Sequence, residues 1–390
     1  MAIGFRAVRN ILTLFAAFAI SIAHAGTRAR DIGVPFDGSP GPLNAITDVA
    51  GVTVGQVTLI EDLANGHKVR TGVTAILPRG RDSIETAAFA GSFVLNGAGE
   101  MTGRAWIEES GLLEGPVMLT NTHSVGTVHQ ATIDWRVRHG KPDASGYWWS
   151  TPVVAETWDG ELNDVNGFHV KPSHVDAALD GAAGGPVAEG NVGGGTGMTC
   201  HGFKCGIGTS SRRVDIEGRE YVVGALVQAN YGTRSSLRIA GVPVGQHLKE
   251  TEPGKLSSSD ADKGSIIIVV ATDAPLLPNQ LDRIAKRAGM GLARMGSFAG
   301  NGSGDIFIAF STANAKAMDS SKIHAAEFLD NGNLDALFEA TAQATEEAIV
   351  NAMVAARDMV GNEGHSAKAL PHDALVALLK RYGRVGATPK

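Results

Sequence analysis

A polar segment runs directly into an apolar one at Asp262-Lys263-Gly264-Ser265-Ile266-Ile267-Ile268-Val269-Val270-Ala271. The residues before it, 251–264, are rich in Ser, Asp, Glu and Lys, which is typical of an exposed linker. The apolar run 266–271 has the length and the β-branched composition of a strand buried on both faces. One serine, Ser265, therefore stands where an exposed segment enters the core.

This junction has two interpretations. In the first, Ser265 is an ordinary turn residue at the start of a strand, since Gly-Ser pairs are common in turns. In the second, the Gly264–Ser265 bond is cut and Ser265 becomes a chain terminus. Its free α-amine, with a pKa of about 8, then takes the proton from its own hydroxyl and activates it as a nucleophile. Gly264 would allow a strained backbone at the bond that is cut.

The chain on both sides of the junction predicts a layered α/β protein. Short β-type runs separated by turn glycines predict strands at 51–58, 72–77, 87–95, 117–120 and 220–228. Longer helical patterns follow at about 278–294, 333–359 and 372–382. A glycine-dense stretch, 163–215, lies between the two groups of strands. We find no internal repeat.

Composition excludes several classes of protein. The 390 residues carry 34 Lys and Arg against 40 Asp and Glu, a net charge of −6, which excludes a strongly basic nucleic-acid binder. Hydrophobic residues make up 43% and charged residues 19%, so the chain has enough apolar surface to form a core. The 50 glycines show no collagen-like period and indicate many tight turns and close backbone approaches.

The first 25 residues are typical of a secretory signal peptide. Arg6 and Arg9 precede an apolar stretch of about a dozen residues, and Ala23-His24-Ala25 supplies a cleavage site before Gly26. The stretch is too short to span a membrane, which takes about 20 residues. We therefore expect the remaining residues, 26–390, to be periplasmic or secreted. Removal of the segment leaves a net charge of −8.

The only two cysteines, Cys200 and Cys205, flank His201 in the glycine-dense stretch. We favour buried or loosely paired thiols, rank a disulfide second because export permits one, and rank a metal site third. Two cysteines and one histidine lack the fourth ligand of a zinc site.

Sequence motifs of other hydrolases are missing. No G-x-S-x-G element marks a Ser-His-Asp nucleophile, and no H-E-x-x-H marks a zinc peptidase. His123 and His129 are interpreted as ordinary histidines. The glycine run 193–197 lacks the G-K-[ST] ending of a phosphate-binding loop.

An ordered set of motifs resembles the DmpA family of L-aminopeptidase/D-Ala-esterase/amidases, with the β-peptidyl aminopeptidases as close kin. The resemblance covers nearly all of residues 26–390 and implies that they form a single catalytic domain. The motifs are Arg30-Asp31-Ile32-Gly33, Gly41-Pro42-Leu43-Asn44-Ala45-Ile46-Thr47-Asp48-Val49, Thr71-Gly72-Val73-Thr74-Ala75, Gly99-Glu100-Met101-Thr102-Gly103, Leu119-Thr120-Asn121-Thr122, Gly195-Thr196-Gly197-Met198, Val227-Gln228-Ala229-Asn230-Tyr231-Gly232, Gly264-Ser265-Ile266-Ile267 and Ser303-Gly304-Asp305-Ile306-Phe307.

The resemblance implies an αββα sandwich, related to that of the ornithine acetyltransferases, and cleavage between Gly264 and Ser265. The products would be an α chain, residues 26–264, and a β chain, residues 265–390. Ser265 matches the nucleophile. Ser303 and Asp305 match the pair that hydrogen-bonds the nucleophile and its amine, and Asn230 matches the asparagine of the oxyanion hole.

The resemblance also implies the substrate contacts. Glu156 is the candidate anion for the ammonium of a small peptide or amino-acid amide. Trp158 stands where the family commonly has a tyrosine, and an indole N–H cannot shuttle a proton as a phenol can. The resemblance implies no metal, no cofactor, no nucleic acid or membrane partner, and a homo-oligomer, typically a tetramer.

The sequence leaves three alternatives open. A β-peptidyl preference would use the same machinery on a different substrate. An acyltransferase of the ornithine acetyltransferase type would use an amine in place of water as acceptor. A periplasmic small-molecule binding protein would share the signal segment, the size and the α/β content, but it would not explain the Gly264–Ser265 junction.

Overall fold

The computed structural model describes residues 26–142, 146, 149–248, 264–318 and 323–385. The predicted signal peptide, 1–25, and all of the polar linker except Gly264 lie outside the described residues. Among the described residues, no helix combines the length and the hydropathy needed to cross a membrane.

Strands and helices are numbered here in chain order. The strands are β1 Thr53–Asp62, β2 Lys68–Arg81, β3 Ala88–Gly97, β4 Leu112–Leu113, β5 Val117–Asn121, β6 Val153–Thr157, β7 Thr199–Cys200, β8 Phe203–Lys204, β9 Ile207–Ile216, β10 Arg219–Asn230, β11 Ser265–Thr272, β12 Gly304–Ser311, β13 Met359–Val360 and β14 Ser366–Ala367. The helices are α1 Arg104–Ser110, α2 Val125–His139, α3 Pro172–Asp180, α4 Val244–His247, α5 Pro278–Arg294, α6 Asp335–Val354 and α7 His372–Arg381.

Two sheets form the centre of the molecule. One has the strand order β1-β2-β5-β6 and the other the order β4-β3-β12-β11-β10-β9. Strand β11 lies inside the larger sheet, antiparallel to β10 and parallel to β12. All eight of its residues are buried, as the run of Ile and Val predicts. The strand that follows the proposed cleavage point is therefore part of the central sheet.

Three apolar clusters separate four layers. The first lies between the two sheets and includes Leu119, Ile267 and Ile306. The second lies between the larger sheet and helices α5 and α6, and the third between the smaller sheet and helices α2 and α3. This arrangement is an αββα sandwich, so the expected fold class is confirmed.

Most predicted elements are present, although helices α1, α2, α3 and α4 were missed. Helix α5 spans the residues predicted for it, 278–294. Helix α2 was missed because its Gly, Thr and Val residues are weak helix formers, and packing of Trp135 on the smaller sheet overrides that preference. Helix α3 begins at Pro172, and proline is a common first residue of a helix, although the sequence analysis does not predict a helix there. Strand β9 lies almost entirely within the glycine-dense stretch 163–215 and was not predicted.

A buried ionic cluster fixes the N-terminal segment to the core. Glu347 on α6 accepts hydrogen bonds from Arg30 at 2.7 and 2.8 Å and from Arg212 on β9 at 2.7 Å. Burial raises the pKa of Glu347, but the hydrogen bonds from Arg30 and the charges of both arginines outweigh it and hold that pKa below its ordinary value. The cluster joins residue 30 to the sheet and to α6.

Replacing Glu347 by Gln is expected to destabilise the protein by about 3–5 kcal/mol, because Arg212 would stay buried without its anion. Since the pKa of Glu347 is lowered, this contribution is present at neutral pH and is lost as the pH falls through that pKa. Urea unfolding at pH 7 measures it. The matched control is Glu346→Gln, whose partner Arg294 is exposed, with a cost of about 0–1 kcal/mol. Equal costs for the two variants would contradict the role of the cluster.

Candidate active site

Ser265 is the first residue of β11 and is only 5% exposed. In register it lies opposite Asn230 on β10 and Gly304 on β12. The N–H of Gly304 donates a hydrogen bond to Ser265 Oγ at 3.1 Å. Side chains alternate along a strand, so Ser265 shares the face of Ile267, which packs between the two sheets. Its hydroxyl therefore lies at one end of the space between the sheets.

Gly264 is in a position that only glycine fits. A Cβ atom there would lie 2.0 Å from the carbonyl oxygen of Asn230 and 2.6 Å from Cα of Tyr231. Both neighbours are main-chain atoms, which cannot move aside as a flexible side chain can. The structure thus gives a steric reason for the glycine before Ser265, which the sequence interpretation had assigned to backbone strain alone.

Asn230 is held at both ends of its amide. Its Oδ1 accepts a hydrogen bond from the N–H of Thr199 at 2.8 Å, and its Nδ2 donates to the carbonyl oxygen of Trp158 at 2.8 Å. Residues directly opposite in an antiparallel pair have Cβ atoms about 4.5–5.5 Å apart. The fixed amide of Asn230 therefore lies on the same face of the sheet as the Ser265 side chain, directly across the strand pair.

Ser303 and Asp305 form a fully buried pair at the start of β12. The hydroxyl of Ser303 donates to Oδ1 of Asp305 at 2.6 Å. Gly304 lies between them, and its N–H is the group that contacts Ser265. The parallel register of β11 and β12 therefore places this pair on either side of the residue that contacts the nucleophile.

Glu156 lies near the end of β6, in the other sheet, and is 4% exposed. Its carboxylate accepts hydrogen bonds from the N–H of Glu100 at 3.0 Å and from the hydroxyl of Thr122. Burial raises its pKa, and these two hydrogen bonds offset part of that effect. Among the described residues no lysine or arginine forms a salt bridge with it.

Gly99 connects Glu156 to the nucleophile. A Cβ on Gly99 would lie 3.2 Å from Oε1 of Glu156 and 3.2 Å from Cα of Gly304. The carboxylate and the backbone that holds Ser265 are therefore separated only by this glycine. Gly99 and Glu100 belong to one of the motifs that carry the family resemblance, but the sequence alone predicts no role for Gly99.

Trp158 contributes its main chain to the site and its ring to the surface. Its carbonyl oxygen binds Asn230, whereas the side chain is 40% exposed. The indole packs edge-on against the ring of His123, with centroids 5.4 Å apart, and His123 stacks on the exposed Phe168 at 6.0 Å. We call these three rings the aromatic lip. Neither His123 nor Phe168 was identified from sequence as part of this region.

Cys200 and Cys205 form a disulfide, so the favoured interpretation as free thiols is wrong and the second one holds. The loop that they close begins beside Thr199, which anchors Asn230. Inside it, the buried Lys204 donates to the carbonyl oxygens of Met198 at 2.7 Å and Cys205 at 2.6 Å. Burial lowers the pKa of Lys204 well below its ordinary value. The described residues hold no group of three or more His, Cys, Asp or Glu side chains placed to bind a metal.

Asp159, next to Trp158, is fully buried beneath the site. Its Oδ1 accepts a hydrogen bond from Asn163 at 3.1 Å. Burial raises its pKa to about 7, although Thr71, Asn163 and Asn121 lower it in part. Sequence analysis does not identify Asp159 as a buried group, because an Asp-Gly pair ordinarily indicates an exposed turn.

Comparison with known proteins gives one consistent family. The profile of peptidase family S58 matches residues 44–367. Beta-peptidyl aminopeptidase BapA of Sphingosinicella microcystinivorans is 54% identical over 377 residues, 93% of this chain and 94% of that protein. The structure of an L-aminopeptidase D-Ala-esterase/amidase from Ochrobactrum anthropi, a serine aminopeptidase with a variant of the Ntn hydrolase fold, superposes with a TM-score of 0.86 at 50% identity, covering 92% of this chain and 99% of that one. A Burkholderia beta-aminopeptidase gives a TM-score of 0.84 at 46% identity, covering 92% of this chain and 99% of that one.

Replacing Asp159 by Asn is expected to flatten the pH dependence of stability. Between the ordinary pKa of 3.8 and about 7, the folded protein holds a proton on Asp159 that the unfolded chain releases. The free energy of unfolding of the wild type therefore falls as the pH rises through this window, and the variant loses that decline. Urea unfolding at pH 5 and pH 8 measures it, with Asp134→Asn on the exposed side of α2 as control. The same pH slope in all three proteins would exclude the effect.

Proposed function

Because the chain belongs to peptidase family S58 and is an aminopeptidase of the N-terminal nucleophile type, we propose that it cuts itself before Ser265 and then uses Ser265 on its substrates. The observation that carries this proposal is the position of Ser265. Its hydroxyl is held by Gly304 N–H, directly opposite Asn230 and at the first residue of the central strand β11. The alternative of a small-molecule binding protein is wrong, because the family is one of peptidases.

The proposed cleavage begins with attack of Ser265 Oγ on the carbonyl carbon of Gly264. The bond between that carbon and the nitrogen of Ser265 breaks, the nitrogen takes up the hydroxyl proton, and an ester forms. Water then hydrolyses the ester, which leaves a carboxylate on Gly264 and a free α-amine on Ser265. The close packing of Gly264 on residues 230 and 231 supports this step, because it fixes the carbonyl next to the attacking oxygen. The two chains stay together because β11 lies inside the larger sheet.

In turnover, the α-amine of Ser265 takes the proton from Oγ as Oγ attacks the substrate carbonyl. Nδ2 of Asn230 donates to the oxyanion that develops, a contribution of this kind being worth ~10²–10³ in kcat. The amine then gives the proton to the leaving group, and water releases the acyl group from Ser265. The carboxylate of Asp305, held by Ser303, raises the pKa of the α-amine while burial lowers it, so the pair tunes the base.

Glu156 binds the ammonium of the substrate in this proposal. Its carboxylate is buried and lies across Gly99 from the nucleophile. Among the described residues, its two hydrogen-bond donors, the N–H of Glu100 and the hydroxyl of Thr122, are both neutral. A buried carboxylate without a cationic partner gains most from a cationic ligand. The contrast with Glu347, which has two arginines, supports this assignment.

Trp158 and the rest of the aromatic lip contact the substrate side chain. The rings of Trp158, His123 and Phe168 offer a partly exposed apolar surface beside Asn230. We propose short peptides, amides or esters with a free amino group as substrates. Two relatives are named beta-peptidyl aminopeptidases, which favours β-amino acids as one class of N-terminal residue. Hydrolysis is favoured over acyl transfer because the predicted export segment places the protein away from biosynthetic acceptors.

Location and assembly complete the proposal. The signal-like residues 1–25 support export to the periplasm or the medium. The proposed assembly is a homo-oligomer of processed chains, most simply a tetramer, as the sequence resemblance implies. No metal or cofactor is needed for the steps proposed above.

Replacing Ser265 by Ala is expected to leave a single uncut chain without activity, because both cleavage and turnover use the hydroxyl. A denaturing gel and an assay with aminoacyl p-nitroanilides measure the two effects. The matched control is Ser210→Ala, a buried serine on β9 of the same sheet, which is expected to be cut and active. A Ser265→Ala protein that still splits into two chains would remove Ser265 from its role.

Replacing Glu156 by Gln is expected to raise KM by ~10- to 100-fold, the loss expected for a charged hydrogen bond. In the wild type, KM falls as the pH rises through the raised pKa of Glu156, since only the carboxylate form attracts the ammonium. The variant lacks this dependence. Initial rates between pH 4 and 8 measure it, with Glu109→Gln, an exposed carboxylate on α1, as control. Equal KM values on acetylated and free-amine substrates would contradict the assignment.

A further inference from the structure

We propose that Asn96 is a positioning residue that holds the Ser303–Asp305 pair in place beside Ser265. This inference rests on the proposed function and assigns a role to a residue outside the set described above. Asn96 lies near the end of β3 and is partly buried. It is separate from the carboxylate that we assign to the substrate ammonium.

The side-chain amide of Asn96 donates two hydrogen bonds to a single turn, residues 300–303. Nδ2 donates to the carbonyl oxygen of Gly300 at 2.6 Å and to that of Ser303 at 2.5 Å. The turn itself is closed by a hydrogen bond from the N–H of Ser303 to the carbonyl oxygen of Gly300 at 2.8 Å. A single side chain therefore ties together the first and the last residue of the turn that leads into β12.

A β-bulge aims this side chain. Asp305 pairs with Asn96, but the next residue, Ile306, pairs with Val94, so Leu95 is an extra residue in β3. Without the bulge, Asn96 would share the face of Val94, which packs between the two sheets. The extra residue turns Asn96 away from that face and toward the loop after α5. Bulges that redirect a side chain are frequent next to active sites.

The turn held by Asn96 carries the groups that meet the nucleophile. Ser303 ends the turn and donates to Asp305, and Gly304 follows with the N–H that binds Ser265 Oγ. Gly97, the residue after Asn96, pairs with Gly304 in register. A small shift of the turn would therefore move the hydroxyl, the carboxylate and the N–H together. Misplacement of catalytic groups by about 1 Å can cost about 100-fold in rate.

Replacing Asn96 by Asp keeps the shape of the side chain but directs an oxygen at two carbonyl oxygens. We expect slower cutting of the precursor and a kcat lower by ~10- to 100-fold, with KM changed less than about threefold because Glu156 is untouched. Asn96→Ser keeps one hydrogen-bond donor, so we expect its kcat and its rate of cutting to lie between those of Asn96→Asp and the wild type. The experiment follows the two-chain product on a denaturing gel over time, together with kcat, KM and Tm of the purified full chain.

Asn191→Asp is the matched control. Asn191 also donates from Nδ2 to a main-chain carbonyl, that of Arg357 at 2.9 Å, but it contacts none of the groups around Ser265 that are named here. Wild-type processing and kcat in Asn96→Asp would overturn the inference. If that variant fails to fold, a wild-type kcat in Asn96→Ser would do the same, as would an equal loss of kcat in Asn191→Asp. Ser265→Ala on the same gel distinguishes the inference about Asn96 from the proposed function. Cleavage of the Ser265→Ala protein would refute the proposed function, whereas the outcomes for Asn96 variants bear on Asn96 alone.

Discussion

A strand that enters the interior of a sheet must pair on both sides from its first residue, and this constraint shapes the whole site. Ser265 meets Asn230 on one side and Gly304 on the other. The two neighbours supply an amide side chain and a main-chain N–H at the same position. Sheet pairing thereby holds the nucleophile and its neighbouring hydrogen-bond donors in fixed positions.

Three buried carboxylates show how environment divides the acidic groups by role. Glu347 has two arginine partners, and its pKa is lowered. Within the part of the chain that the structure describes, the hydrogen-bond donors to Glu156 are neutral, and burial raises its pKa. Asp159 is fully buried, and its pKa rises to about 7. Glu347 is therefore a structural partner of two cations, and Glu156 is suited to a cationic ligand. Asp159 makes the stability of the folded protein depend on pH.

The sequence predicted the parts of the fold that depend on local patterns. The Ile-Val run of β11 and the amphipathic α5 are visible because composition and period determine them. Helix α2 depends on packing against the smaller sheet, which local patterns do not encode. The Cys200–Cys205 bridge joins residues only five apart, but it depends on the β7–β8 hairpin that brings the two thiols together, and the two-residue strands of that hairpin leave no periodic signal. The same holds for the site. Ser265 is recognisable from its junction, whereas the roles of Gly99 and Asn96 arise from a close approach and a bulge that only the paired strands reveal.

The measurement that tests the central claim most directly is N-terminal sequencing, together with intact mass, of the active purified protein. The account predicts two starting residues: one at the export cleavage point near Gly26, and one beginning Ser-Ile-Ile-Ile at Ser265. The masses should correspond to residues 26–264 and 265–390. An active protein that yields a single N-terminus and the mass of one continuous chain would contradict the account.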